Sequence, residues 1–336
     1  MLRTLLVVGL GSIGRRHARL IRALVPGVQI VAWRHQSHGE ANEPGIDHSV
    51  TNLREALGFS PQVAVIANPA SYHLDVALPL GKAGVHLLIE KPISSTTQNV
   101  SELIEVCRAQ GVVLMTGYNL RFLPSLQRFR EILEERRVGR ILSVRAEIGQ
   151  FLPSWRPGSD YRQTVSAQAA LGGGVLLELS HDIDYLRWLF GEINWVNAIC
   201  CKQSSLEIDV EDTAHLVLGF AGHSGCVPII ATLNMDCIRH DTTRTCTVIG
   251  EKGTLRWNAV SGTVDIFEEG RDIWQTLSTQ HPQRDESYLA EWRHFLSCIC
   301  EGVPPFVTGA DGLAVLQVIE AARQSSQSRT VVSIGS

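Results

Sequence analysis

Four ionisable residues, Glu178, His181, Asp182 and Asp184, crowd one short run of LGGGVLLELSHDIDYLRWLF, residues 171–190. The run otherwise reads as an apolar helix. Residues three or four apart share a helix face. Leu176, Leu179, Ile183, Leu186 and Phe190 therefore form one apolar stripe, fit to pack on a sheet. Glu178, His181 and Tyr185 form a second stripe, fit to look into a cleft. An imidazole titrates at ~6.5 and suits proton transfer near neutrality. Asp184 is close enough in sequence to orient it, which leaves Asp182 to solvent or a neighbouring helix.

A second constellation lies near the start of the chain. Gly9, Leu10, Gly11, Ser12, Ile13 and Gly14 follow an apolar run and open a helical pattern. In that setting a G-x-G-x-x-G loop reads as a dinucleotide site. Gly9 makes the tight turn, Gly11 lets pyrophosphate approach, and Gly14 lets helix and strand pack. Free backbone N–H groups at the helix start then face the phosphates. Twenty residues past Gly14, where an acid would bind a ribose 2′-hydroxyl, stands Arg34; no acid follows until Glu40. A guanidinium pairs with phosphate, so Arg34 favours NADP. The other reading has Arg34 solvated or stacked on adenine, with NAD acceptable. The missing acid also argues against an S-adenosylmethionine methyltransferase.

Open α/β sheets bind ligands outside the carboxyl ends of their strands. Two such ends carry polar residues. Asn68, Pro69 and His73 lie in NPASYH, and Glu90 and Lys91 precede Pro92 in EKPIS. Lys91 would project at the nicotinamide edge and polarise a carbonyl or alkoxide oxygen. The plain alternative is a solvated strand-end lysine. Between a later strand and the 171–190 run, residues 150–163 mix Trp155 and Tyr161 with Arg156, Asp160 and Arg162. Aromatic faces beside charged hydrogen-bonders suit a polyol ring or an acidic sugar; a packing loop or an oligomer contact is the alternative.

The elements that must position these residues follow from periodicity. Strands at 5–8, 29–33, 63–67, 85–89 and 112–116 alternate with helices at 13–24, 53–57, 71–83 and 96–109. That rhythm predicts a parallel sheet with helices on both faces. After Gly117 it changes. A helix at 123–135 leads to a strand at 141–148, and strand-like runs at 195–202, 213–220, 226–234, 243–249 and 263–267 have few helices between them. A largely antiparallel sheet is expected there, closed by helices at 284–301 and 309–324. The fold class is α/β: a Rossmann dinucleotide-binding domain over 1–118 and an α+β domain over 119–336 with an open, mostly antiparallel sheet.

The 336 residues carry a net charge of −4 and are 44 % hydrophobic and 19 % charged. This is ordinary globular composition, without the basic excess of a nucleic-acid binder. No stretch approaches the ~20 apolar residues of a membrane span. The N-terminal apolar run ends in the glycine loop instead of a cleavage site, so a cytoplasmic protein is expected. The eight cysteines form no C-x-x-C pair and read as buried thiols, with no metal site.

Taken in order, VVGLGSIG, NPASYH, EKP after an apolar strand, GYNLRF and the GGG…HxxD helix resemble the glucose–fructose oxidoreductase, inositol dehydrogenase and rhizopine-catabolism (Gfo/Idh/MocA) family across essentially the whole chain. The resemblance implies an NAD(P)-dependent oxidoreductase of sugars, cyclitols and related alcohols, assembled as a homodimer or homotetramer. It implies that Lys91 contacts substrate and nicotinamide ribose, with Lys91–Pro92 cis as is frequent in the family. His181 becomes the general acid/base, Asn119 lies near the nicotinamide, and Arg121 is a substrate candidate or a salt-bridge residue. The family's usual D-x-x-x-H is absent here: Glu178 stands three residues before His181, and it either reaches substrate on a longer arm or is structural. The loops also resemble a branch found near surface-polysaccharide and nonulosonic-acid genes. Two other functions compete. A glycosidase of the same family would use transient oxidation and turn over without net cofactor reduction. A non-catalytic dinucleotide-binding regulator would have no need of Lys91 and His181.

Overall fold

The central strands of the first sheet are short and mostly apolar, because a parallel sheet is covered on both faces. Residues 2–34, 43–221 and 228–335 are described by the structure, a computed structural model. The chain divides into two compact units, Met1–Asn119 with Tyr288–Leu316, and Leu120–Ser287 with Gln317–Ser336.

In the first unit β1 (Thr4–Val8) runs into helix α1 (Ser12–Leu24), followed by β2 (Gln29–Trp33), β3 (His48–Val50), α2 (Leu53–Gly58), β4 (Val63–Ile66), α3 (His73–Lys82), β5 (His86–Glu90), α4 (Val100–Gln110) and β6 (Leu114–Gly117). The sheet order is β3-β2-β1-β4-β5-β6, and every pairing is parallel. This is the doubly wound order in which dinucleotides bind where the strand order reverses, here between β1 and β4. All five residues of β1 are buried. Helix α1 buries Gly14, His17, Ala18 and Ile21 at helical spacing.

The second unit opens with α5 (Pro124–Glu134) and β7 (Ile141–Gly149). Next come α6 (Val175–Glu178), α7 (His181–Phe190), β8 (Ile193–Cys201), β9 (Thr213–Phe220), β10 (Ile230–Asp236), β11 (Thr243–Gly250), β12 (Gly253–Asn258), β13 (Thr263–Glu268) and β14 (Gln275–Thr279). Helices α8 (Glu286–Glu301) and α9 (Gly309–Ser328) and strand β15 (Val332–Ser333) end the chain. The nine strands lie in the order β14-β13-β12-β11-β7-β10-β9-β8-β15, antiparallel except for the β7–β10 pair. β10 alternates strictly, with Ala231, Leu233 and Met235 buried and Ile230, Thr232 and Asn234 exposed. One face of the sheet therefore carries the core and the other carries polar and scattered apolar side chains. On the core side Trp257 of β12 meets Tyr185 of α7 edge-on at 5.4 Å and donates from Nε1 to the Ser125 hydroxyl at 3.1 Å.

The mostly antiparallel sheet matches the expectation, but it has more strands than the apolar runs suggested. β12 and β14 are polar on alternate positions and short, so they stand out only once their partners are in place. Residues 226 and 227 of the run at 226–234 lie outside the described residues, as does Glu40.

Candidate active site

The glycine loop divides its labour. Gly9 has φ +87°, and a Cβ there would stand 2.7 Å from the Asn68 nitrogen. A Cβ on Gly14 would stand 2.0 Å from the Gly9 carbonyl oxygen. A Cβ on Gly11 would meet nothing within 4 Å. The first and third glycines are thus demanded by the turn and by packing, and the second leaves the open approach that a pyrophosphate needs. Gly11 caps α1 without a side-chain hydrogen bond, and no acid lies in the first turn. The helix's own first turn thus adds no carboxylate against an anion. Leu10 is buried, while Ile13 is half-buried and Ser12 exposed. These features fit a dinucleotide.

At the end of β4, Asn68 is half-buried and its Oδ1 has no hydrogen-bond partner among the described residues. Pro69 leads the tight turn Ala70–Tyr72. His73 is buried, with Nδ1 3.0 Å from the Pro92 carbonyl and Nε2 2.8 Å from the Asn68 carbonyl. Burial pushes its imidazole below the ordinary range. His73 therefore lies between the NPASYH and EKP turns, and its neutral ring donates to one of the two carbonyls. The Lys91–Pro92 bond is cis, as the resemblance implied. Lys91 is half-buried; Glu90 is buried and accepts from the Lys91 backbone N–H at 3.2 Å. Its other oxygen lies 2.8 Å from Nε2 of the buried His17. Trp292 Nε1 donates to His17 Nδ1 at 2.9 Å. An indole N–H only donates, so Nδ1 accepts and Nε2 carries the proton it gives to Glu90. Asn119 is buried at the start of the turn Asn119–Phe122.

Arg34 follows β2 directly. Its Nη2 donates to Glu43 Oε2 at 2.7 Å, and Arg15 Nε donates to Glu43 Oε1 at 2.5 Å. The two guanidiniums hold the Glu43 carboxyl below the usual carboxylate range.

In the second unit the apolar stripe is as expected: Leu176, Leu179, Ile183, Leu186 and Phe190 are all buried. The single helix is not. It breaks at Leu179–Ser180 into α6 and α7. From Gly172 to Arg187, Glu178 and His181 alone are half-exposed and every other residue is buried. Tyr185, expected on their stripe, is instead buried against Trp257, and burial pushes its phenol up. Asp182, expected at solvent or a neighbouring helix, is fully buried, with Arg244 Nη2 at 3.2 Å. Asp184 accepts from Arg121 Nε and Nη2 at 2.9 and 2.7 Å. Arg121 is thus a buried strut beneath α7.

The triple glycine has a local cause. Gly172 and Gly174 have φ of +84° and +99°. A Cβ on Gly173 would stand 2.4 Å from the Val165 carbonyl, and one on Gly174 2.5 Å from Glu211 Oε1. That Glu211 oxygen accepts from the Leu176 N–H at 3.2 Å, in the first turn of α6. Gly174 thus leaves room for this carboxylate, and Gly173 for the Val165 carbonyl.

The model of an oxidoreductase family's NAD-binding Rossmann fold matches residues 3–118, and the model of that family's C-terminal alpha/beta domain matches residues 130–334. The chain belongs to the Gfo/Idh/MocA family. It is an oxidoreductase of CH–OH groups with an NAD(P)-binding Rossmann fold. Among its relatives is the myo-inositol 2-dehydrogenase of Thermotoga maritima, 27% identical over 98% of this chain and 97% of that protein. Among solved structures, GenD2 from gentamicin A biosynthesis in complex with NAD is 27% identical with a TM-score of 0.82, covering 99% of this chain and 97% of that one. Levoglucosan dehydrogenase in complex with NADH shares the fold at a TM-score of 0.86 and 22% identity, covering 99% of each chain.

Two further parts of this Gfo/Idh/MocA chain bear on the site. Trp155 and Tyr161 are half-buried; Trp155 Nε1 donates to the Gln150 carbonyl at 2.9 Å, and the Tyr161 hydroxyl accepts from the Glu207 N–H at 3.2 Å. The polar edge of Trp155 thus serves its own loop, and that of Tyr161 fastens the loop to the segment at Glu207. His17, Trp292, Arg15 and Glu43 were passed over in the sequence. For His17 a signal exists: it sits at helical spacing with the buried Gly14 and Ile21. Glu43 gives none, because its partners lie 28 and 9 residues away.

Proposed function

We propose that this chain moves a hydride between nicotinamide and a hydroxyl- or carbonyl-bearing carbon of a sugar, sugar acid or cyclitol, with Lys91 and His181 acting on the reacting oxygen. The observation that carries this reading is the emergence of Glu178 and His181 alone from an otherwise buried run. Bound nicotinamide supplies the hydride acceptor or donor. In oxidation His181 takes the hydroxyl proton, and the Lys91 ammonium stabilises the charge that develops on oxygen. In reduction His181 returns the proton. Glu178 holds a substrate hydroxyl. Gly9 to Gly14, Asn68, Pro69, Glu90 and Asn119 form the cofactor side, His73 braces it, and Arg34 supports NADP as a phosphate partner. Trp155 and Tyr161 offer ring faces to the substrate, and nearby Arg156 supports an acidic sugar of surface-polysaccharide or nonulosonic-acid biosynthesis, whereas Arg162 is paired with Asp160 and Glu207. The names of the relatives, an inositol and a levoglucosan dehydrogenase, support the cyclitol and sugar class.

Lys91→Ala and His181→Ala should each lower kcat by about 10²–10⁴-fold and leave the dissociation constant of reduced dinucleotide within a few-fold. Turnover is read with a panel of cyclitols, sugar acids and nucleotide sugars and both cofactors. Near-wild-type turnover in either variant removes that residue from the mechanism. The cytoplasm is the proposed compartment, supported by the seven described cysteines, all free thiols. A homodimer or homotetramer is the proposed assembly, supported by exposed Ile199, Val217 and Ile230 on adjacent strands β8, β9 and β10.

A further inference from the structure

Arg34 stands where a Rossmann chain meets the adenosine ribose, and its guanidinium is already engaged. Glu43 receives Arg34 at 2.7 Å on one oxygen and Arg15 at 2.5 Å on the other. The side chains of Arg34 and Glu43 are only 17% and 20% exposed, so the pair is partly shielded from competing water and salt. Arg15 lies in the first turn of α1, directly behind Gly14 of the phosphate loop. Two cations that could close on a phosphate therefore share one carboxylate of the chain itself.

The geometry points to Glu43 as the residue that sets NAD against NADP: an internal anion that occupies the two guanidiniums a 2′-phosphate needs. This rests on the nicotinamide-dinucleotide reading above. With NAD nothing has to be displaced, and the Glu43 carboxylate is an acceptor for a ribose hydroxyl. With NADP the phosphate must compete with Glu43 for both guanidiniums, of which Arg34 gives the carboxylate one N–H and Arg15 two. Arg34 thus makes NADP acceptable and Glu43 opposes it. Charge-assisted hydrogen bonds are the strong ones. Losing one such competitor corresponds to about tenfold or more in affinity.

The test is titration of NADH and NADPH, followed by cofactor fluorescence, on wild type, Glu43→Gln, and Glu43→Gln combined with Arg34→Gln. Glu43→Gln should tighten NADPH relative to NADH by about tenfold, and the double variant should lose that gain. Folding of each variant is checked by its circular-dichroism spectrum and thermal midpoint, independently of either dinucleotide. An unchanged NADPH/NADH ratio in Glu43→Gln, or a gain that survives removal of Arg34, overturns the proposal. Wild type that binds neither dinucleotide overturns the cofactor reading itself, and this proposal with it.

Discussion

Glu291 is fully buried in α8, and neither of its carboxyl oxygens has a hydrogen-bond partner among the described residues. Burial, reinforced by the neighbouring Glu90 charge, pushes its pKa well above the carboxylate range. The folded protein thus keeps a proton that the unfolded chain releases above about pH 4.3. The native state then binds more protons than the unfolded one, so this group's contribution is full below the unfolded pKa and falls as pH rises towards the folded pKa. The limiting slope is about 1.4 kcal/mol per pH unit. Glu291→Gln should flatten the fall of Tm between about pH 5 and 8, measured by calorimetry. Parallel wild-type and variant profiles would mean that the carboxyl ionises inside the fold. The same residue-level reasoning separates His73, held between two carbonyls, from His181, which reaches the surface.

At the scale of elements, α7 is held from beneath by charge. Arg121 and Asp184 are nearly inaccessible and meet through two hydrogen bonds. Removing one member breaks this buried pair, which costs up to about 3–5 kcal/mol. Asp184→Ala should lower the urea midpoint accordingly, whereas a change below about 1 kcal/mol would mean that water reaches the guanidinium. The periodicity of 171–190 made the apolar stripe legible, because that stripe is a property of local spacing. The break at Leu179–Ser180 was not legible, since neither glycine nor proline marks it. The burial of Asp182 was hidden too, because its partner Arg244 lies on β11. The glycine loop could be read in full, since strand, turn and helix are consecutive. Gly174 could be seen but not explained, because Glu211 fills the space its side chain would need.

At the scale of the molecule, the open face of the nine-stranded sheet carries Ile199, Val217 and Ile230 on three neighbouring strands, with Leu142 exposed on β7. Buried in a subunit interface, these side chains would account for a strand pattern that is apolar on both sides at those positions. Ile199→Glu with Val217→Glu should convert the proposed assembly to monomer in sedimentation velocity without loss of the circular-dichroism signal. A wild type that already sediments as a monomer sinks the assembly. The alternation of strands and helices told the class of both sheets from sequence. It gave no sign that residues Tyr288–Leu316 return to the first unit.

That return has a consequence for the order in which the protein can be made. His17 waits for Trp292, 275 positions later. At a ribosomal pace of roughly 5–20 residues per second, the interval is about 14–55 s. During that time the nascent Rossmann sheet can pair its strands, but His17 lacks its indole donor. The positioning of Glu90 behind Lys91 is therefore among the last events of synthesis, and a chain interrupted before α8 would present a dinucleotide fold whose Lys91 backbone is not yet set.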